Sequence, residues 1–273
     1  MIKLGGTGVE SPGSTPILWR SLIELSRAER SAGRAGVVLV HGGGKAVDAH
    51  LDRLGYETER RQGLRVTPPE QMEQIAAVLG RINKSIVGAL QACGQAAIGL
   101  CPGECATATL ARLTPGGEDI GLVGEVTGGD PAFVSDLLAR GIIPVFSPIG
   151  IDADGGFLNI NADDAAAGLA SIQRASRLVL LTDVPGVRGD NGQIISETTA
   201  TELEHLIAQG IIHGGMVPKV RAAVRAVTNS GVPVLIASWN EPERLSRLGS
   251  ADTPGTCILA KPSGVLAAPG AAR

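Results

Sequence analysis

The sequence predicts an α/β fold, a three-layer αβα sandwich around a mostly parallel, open central sheet. Three observations predict it. Short apolar runs recur along the chain, each bounded by glycine, proline or polar residues, as buried strands are. Longer segments with helical spacing lie between them, and strands alternating with helices imply a parallel sheet covered on both faces. Hydrophobic residues make up 44% of the 273 and charged residues 19%, enough apolar surface for a large domain or two lobes.

In chain order, a first strand starts at Met1 and carries Lys3. Residues from Gly8 to Pro16 read as an irregular loop. Ile17 to Arg30 then places Leu18, Leu22 and Leu25 on one side of a helix. Val37-Val38-Leu39-Val40 is a buried strand, followed by glycines and another helical segment. Tyr56 to Val66 is charged, contains Gly63 and lacks a helical stripe, which suits an inserted β-hairpin. Glu70 to Cys93 is long enough for a sizeable helix, and Ala97 to Leu100 is the next strand. Cys105 to Val126 is broken up and predicts two hairpin strands. Strands at Ile142–Phe146, Leu178–Leu181 and Pro233–Ile236 alternate with helices at Asp163–Ile172 and Met216–Val227. The tail from Lys261 to Arg273, rich in alanine, glycine and proline, reads as disordered.

Composition excludes several functions. A net charge of −3 supplies no basic field for nucleic acid or anionic lipid, and 2% aromatics leave few stacking platforms. No run reaches the roughly 18 apolar residues of a membrane-spanning helix, and the first residues lack the features of a signal peptide. Cys93, Cys101, Cys105 and Cys257 form no C-x-x-C pair, so reduced thiols and a cytoplasmic setting are expected. Cys101 and Cys105 lack neighbours to complete a metal site.

Several short segments carry chemistry. In Lys3-Leu4-Gly5-Gly6 a strand lysine precedes two glycines, whose missing Cβ lets backbone approach an anion. Val40-His41-Gly42-Gly43-Gly44-Lys45 follows a strand and precedes a helix, the setting in which free N–H groups and the helix dipole attract phosphate or carboxylate. It matches neither a Walker loop nor the dinucleotide fingerprint. An ordinary tight turn would explain either segment taken alone. Arg65, behind the expected hairpin in Gly63-Leu64-Arg65-Val66-Thr67, is suited to bidentate carboxylate binding. Asn159-Ile160-Asn161-Ala162-Asp163 would place two amides and a carboxylate on one face if extended, and Asp163 is also a candidate helix cap. Leu181-Thr182-Asp183-Val184-Pro185-Gly186 ends a strand, and Gly214-Gly215-Met216-Val217-Pro218-Lys219 opens a helix.

Taken in this order, with Asn83-Lys84 and Gly255-Thr256, these segments resemble the amino-acid kinase family. The similarity spans nearly the whole chain outside the tail. It is greatest to members that phosphorylate N-acetyl-L-glutamate in arginine biosynthesis. It implies one domain over 1–260, with an acyl-amino-acid-binding and dimerisation lobe over about 1–173 and an ATP-binding lobe over about 174–260. It implies ATP as co-substrate, with Mg2+ accompanying it and no metal site of the protein's own. Lys3 and Lys219 would stabilise the transferring phosphoryl group, with Asp163 organising both. Gly43 and Gly44, rather than Gly42, would offer N–H groups to substrate and γ-phosphate, and Arg65 and Asn159 would hold the N-acetyl-L-glutamate. Gly5, Gly6, Asp183, Val184, Pro185, Gly186, Val187, Arg188, Ile211, Ile212 and His213 would line the nucleotide site. Lys45 and Lys84 read as helix-surface residues.

The residue types suit that chemistry. A carboxylate is already nucleophilic at neutral pH, so the difficulty is bringing two anions together, which positioning and positive charge overcome. Two other readings stay open: a kinase acting on a carrier-protein-linked aminoadipate or glutamate, and a catalytically weak regulator that binds nucleotide or amino acid. Arginine-inhibited members carry an extra N-terminal helix that links dimers into hexamers. Nothing precedes Ile2 here except Met1, so an arginine-insensitive homodimer is expected.

Overall fold

A computed structural model describes residues 1–6, 9, 15–248 and 253–260. The tail at 261–273, and most of the loop expected between Gly8 and Pro16, lie outside the described residues.

The first half of the chain runs β1 (Ile2–Leu4), α1 (Pro16–Ser31), β2 (Leu39–His41), α2 (Gly44–Arg53), β3 (Arg60–Arg61), β4 (Leu64–Arg65), α3 (Pro69–Ala92), β5 (Ala97–Leu100), β6 (Thr109–Arg112) and β7 (Val123–Gly128). Next come α4 (Ala132–Ala139), β8 (Ile143–Phe146), β9 (Ile149–Ile151), β10 (Phe157–Ile160), α5 (Ala162–Ile172) and β11 (Leu178–Thr182). The chain ends with β12 (Glu197–Thr199), α6 (Ala200–Ala208), α7 (Met216–Ser230), β13 (Val234–Ser238) and β14 (Thr256–Leu259).

Eight strands form the central sheet in the order β12-β14-β13-β11-β1-β2-β8-β5. Every neighbouring pair is parallel except β13 and β14. Strand residues alternate between two cores. Ile2, Leu4, Leu39, Val179 and Leu181 pack with α1 and α3, while Val40, Leu178 and Leu180 pack with α4, α5 and α7. This is the expected αβα sandwich, and its period-2 alternation is what covering both faces requires.

Each predicted strand and helix exists, with ends shifted by a few residues. The hairpin expected within Tyr56–Val66 is β3–β4, and the broken segment at Cys105–Val126 holds the antiparallel pair β6–β7. Three features depart from the sequence reading. A separate four-stranded sheet, β6-β7-β10-β9, adds β9 and β10 to that pair. The helices α4 and α6 and the strands β12 and β14 were not anticipated. The segment Asn159–Asp163 is extended only as far as Asn161 and is helical from Ala162.

The central strand β1 sets the position of the site. From β1 the chain moves outward to β2 on one side and later returns to β11 on the other. In open α/β sheets ligands bind beyond the carboxyl ends of strands at such a reversal. Here those ends carry Gly5-Gly6, Gly42-Gly43 and Asp183.

Candidate active site

Lys3 stands between Ile2 and Leu4 on β1, so its side chain takes the opposite face, towards α5. Its Nζ lies 2.9 Å from Asp163 Oδ1. The next residue but one has to be small. A Cβ on Gly5 would stand 3.0 Å from Lys3 Nζ and 3.2 Å from the Leu181 carbonyl oxygen.

Asp163 is placed by its helix. The cap of α5 is Asn161, whose side-chain oxygen accepts from the main-chain N–H groups of Asp163 at 2.9 Å and Asp164 at 3.2 Å. The capping role considered for Asp163 therefore belongs to Asn161, because the chain turns helical at Ala162 and leaves Asp163 inside the first turn. Its carboxylate is free to meet Lys3, at the end of the helix where negative charge is favoured.

The glycine run joins β2 to α2. Gly42 donates its N–H to the Leu4 carbonyl at 2.9 Å, so that donor is used by the sheet. Gly43 caps α2 and Gly44 begins it, and first-turn N–H groups have no acceptor within their own helix. Gly43 also permits close packing: a Cβ there would lie 2.7 Å from Leu79 Cδ2 and 2.8 Å from Ile82 Cδ1 on α3. Just before the run, His41 is fully buried and its Nδ1 donates to the Gly42 carbonyl at 2.7 Å. Burial pushes its imidazole down to about 4, against that hydrogen bond.

Arg65 on β4 is held by three acceptors. Its Nη1 donates to Thr58 Oγ1 at 3.3 Å and its Nη2 to the Gly44 carbonyl at 3.2 Å. Nη2 also lies 2.6 Å from Asp48 Oδ1 on α2. Desolvation draws the guanidinium below its usual range, and Asp48 opposes that. Asn159 on β10 donates to Thr67 Oγ1 at 3.0 Å, and Thr67 donates on to the Arg65 carbonyl at 3.1 Å. The two residues read as acceptor-binding are thus linked through one buried threonine.

These groups surround a cleft of about 360 Å³. Lys3, Lys45, Arg60 and Arg65 line it with Asp48 and Asp163, as do Gly5, Gly6, Gly43, Gly44 and Asn159. Four cations against two carboxylates make a local positive field in a chain of net charge −3. Lys45, read as a surface residue, is exposed but also lines this cleft. Lys84 is exposed on α3, while its neighbour Asn83 is buried and donates to the Val145 carbonyl at 2.8 Å.

The second lysine stands apart from this cleft. Lys219, in the first turns of α7, lies 2.5 Å from Asp183 Oδ1. That ion pair holds the Asp183 carboxyl below its usual range, helped by the Thr182 hydroxyl, and Asn240 fixes the Asp183 carbonyl at 3.1 Å. Asp163 thus pairs with Lys3 while Lys219 pairs with Asp183, at the adjacent strand end. Of the other residues assigned to the nucleotide, Val187 and Ile212 bury their side chains in the core and offer only main chain. The Val187 N–H is used by Thr256 Oγ1 at 2.8 Å and Gly186 is buried. Val184, Pro185 and Ile211 are half-buried, and Arg188 and His213 are exposed. Among the described residues, no group of three His, Cys, Asp or Glu side chains could hold a metal ion, and no helix is long and apolar enough to cross a membrane.

The profile of the amino acid kinase family matches residues 1–238. This chain belongs to the amino acid kinase family. A relative from Pectobacterium atrosepticum named acetylglutamate kinase is 41% identical over 261 residues, covering 95% of this chain and 98% of its own. The solved structure of smu.665 from Streptococcus mutans superposes with a TM-score of 0.72 at 27% identity, over 95% of this chain and 97% of that one. N-acetylglutamate synthase from Neisseria gonorrhoeae superposes with a TM-score of 0.77 at 22% identity, over 95% of this chain and 61% of that one, a likeness of fold.

Among the charged residues that line the cleft, Asp48 had no part in the sequence reading. Asp48 lies four residues after Gly44, one turn along α2, but the need for a carboxylate there follows only from the burial of Arg65 in the folded chain.

Proposed function

We propose that this chain transfers the γ-phosphoryl group of ATP, bound as its magnesium complex, to the side-chain carboxylate of N-acetyl-L-glutamate. The observation that carries this reading is the cleft itself, which the Lys3–Asp163 pair lines together with Arg65, Asn159 and the glycine run. The likeness to an acetylglutamate kinase over 95% of the chain supports the choice of acceptor.

In this reading Arg65 and Asn159 hold the acetylglutamate, and the Gly43 and Gly44 amides meet the acceptor oxygen and the γ-phosphate. A carboxylate oxygen attacks phosphorus, the bond to the ADP oxygen breaks, and no proton has to move. Lys3, oriented by Asp163, neutralises charge gathering on the transferred group. Lys219 is the second such cation. It reaches the phosphates by leaving Asp183 or by drawing them to the pair, and the glycines Gly214-Gly215 before α7 suit that movement. Gly5 and Gly6 border the phosphates, while the segments from Asp183 to Arg188 and from Ile211 to His213 form the nucleotide side. The protein works in the cytoplasm as a homodimer of a domain spanning 1–260, with the lobes dividing near 173.

The test traps the acyl phosphate with hydroxylamine. Acetylglutamate and magnesium ATP together are expected to give hydroxamate, and omission of either none. Nucleotide binding without acyl phosphate would support a regulator instead. Light scattering is expected to give one species of twice the 27.8 kDa chain mass.

A further inference from the structure

Arg65 is not alone across its strand pair. The β3–β4 ladder consists of two residue pairs, Arg60 with Arg65 and Arg61 with Leu64. Its two-residue turn has positive φ at both Gln62 and Gly63, 50° and 83°, the tight hairpin geometry that matches strand twist. So short a hairpin is marginal by itself. Arg60 and Arg65 stand directly opposite each other, and like charges in that position repel.

Asp48 answers both problems. Its Oδ1 accepts from Arg65 at 2.6 Å and from Arg60 at 3.1 Å, and its Oδ2 accepts from Arg60 at 2.8 Å. It projects from α2 one turn beyond Gly44, whose carbonyl takes another Arg65 donor. A single carboxylate thus fastens both strands of the hairpin to the helix that begins at the glycine run.

We propose that Asp48 is a positioning residue: it latches the β3–β4 hairpin onto α2 and so presents Arg65 to the carboxylate acceptor. Asp48 itself does not touch the reacting atoms. Its charge belongs to the hairpin, and the acceptor meets the Arg65 donors that Asp48, Gly44 and Thr58 leave over. This rests on the reading of the cleft as an acceptor site.

The test compares Asp48→Asn and the double change Asp48→Asn with Arg60→Gln against the unchanged protein. Hydrogen exchange reads the latch without any substrate. Amides in 58–66 are expected to exchange about tenfold faster in Asp48→Asn, the size of one lost charge-assisted hydrogen bond, with the β1 and β11 amides unchanged. The double change is expected to recover part of the protection, because the cross-strand repulsion is gone. In kinetics, KM for acetylglutamate is expected to rise about tenfold in Asp48→Asn, with KM for ATP unchanged and kcat within about threefold. Unchanged exchange in 58–66 overturns the latch, as does a fall in acceptor KM, which would make Asp48 a competitor for Arg65. Should the unchanged protein form no acyl phosphate, the acceptor reading fails while the exchange result still decides the latch.

Discussion

Lys3 and Lys219 carry the same charge in different surroundings. Lys3 is sheltered at 16% side-chain exposure, under Gly5 and against Asp163. Lys219 is 35% exposed and held by Asp183. Replacing either by alanine is expected to lower kcat by about 10²–10³, the usual loss when one transition-state donor is removed, with an unchanged circular dichroism spectrum. Hydroxamate turnover near the unchanged rate in Lys219→Ala would remove that lysine from the mechanism. Lys3, Arg65 and Asn159 stand out in the sequence by residue type and by neighbouring glycines or amides, and the fold brings all three to one cleft. The partner of each cation was less legible. Asp163 was expected to organise both lysines; it pairs with Lys3, while Lys219 in the first turn of α7 pairs with Asp183 just after β11.

At the scale of elements, two junctions hold the site. One is the start of α5, where Asn161 accepts from two main-chain N–H groups. Asn161→Ala is expected to destabilise the protein by about 1 kcal/mol, read as a lower urea midpoint. It should also reduce kcat more than it raises either KM, because it releases the turn that orients Asp163. The other junction is Gly43 against α3. A methyl group there would press on Leu79 and Ile82, both buried. Gly43→Ala is therefore expected to cost about 1–3 kcal/mol through overpacking, lowering Tm and raising KM for both substrates together. An unchanged Tm would show that α3 yields without strain. The sequence marked the glycines as anion-binding; that Gly43 is equally a packing residue follows from α3, which is distant in sequence. The helix α6 was readable in principle, since Thr199 and Glu202 form a capping box. β9 and β10 were not, because each is short and finds its pairing in a small sheet apart from the main one.

For the molecule as a whole, acid sensitivity has an identifiable source in His41. Its folded value of about 4 lies below the ordinary 6.5, so as pH falls the unfolded chain takes up a proton first. The contribution is complete above pH 6.5 and is lost as pH falls towards 4, about 3 kcal/mol in total. Urea unfolding at pH 7.5 and 4.5 should show the loss, and His41→Leu should lose less stability over the same interval. Ligands act in the opposite direction. A nucleotide present at about 100 times its Kd adds roughly 2.7 kcal/mol to the native state, which differential scanning should register as a Tm several degrees higher. Magnesium ATP without such a shift would argue against a nucleotide site between β11 and α7.

By itself the sequence determined the layer architecture, most strands and helices of the main sheet, and which segments, at Lys3, Gly43 and Arg65, come to line the cleft. Apolar period and glycine placement are local properties, and both survive being read one segment at a time. Tertiary structure decided how charges are partnered: Lys3 with Asp163, Lys219 with Asp183, and both hairpin arginines with Asp48. Coulomb attraction depends on distance in space, and strand order, not sequence spacing, sets that distance.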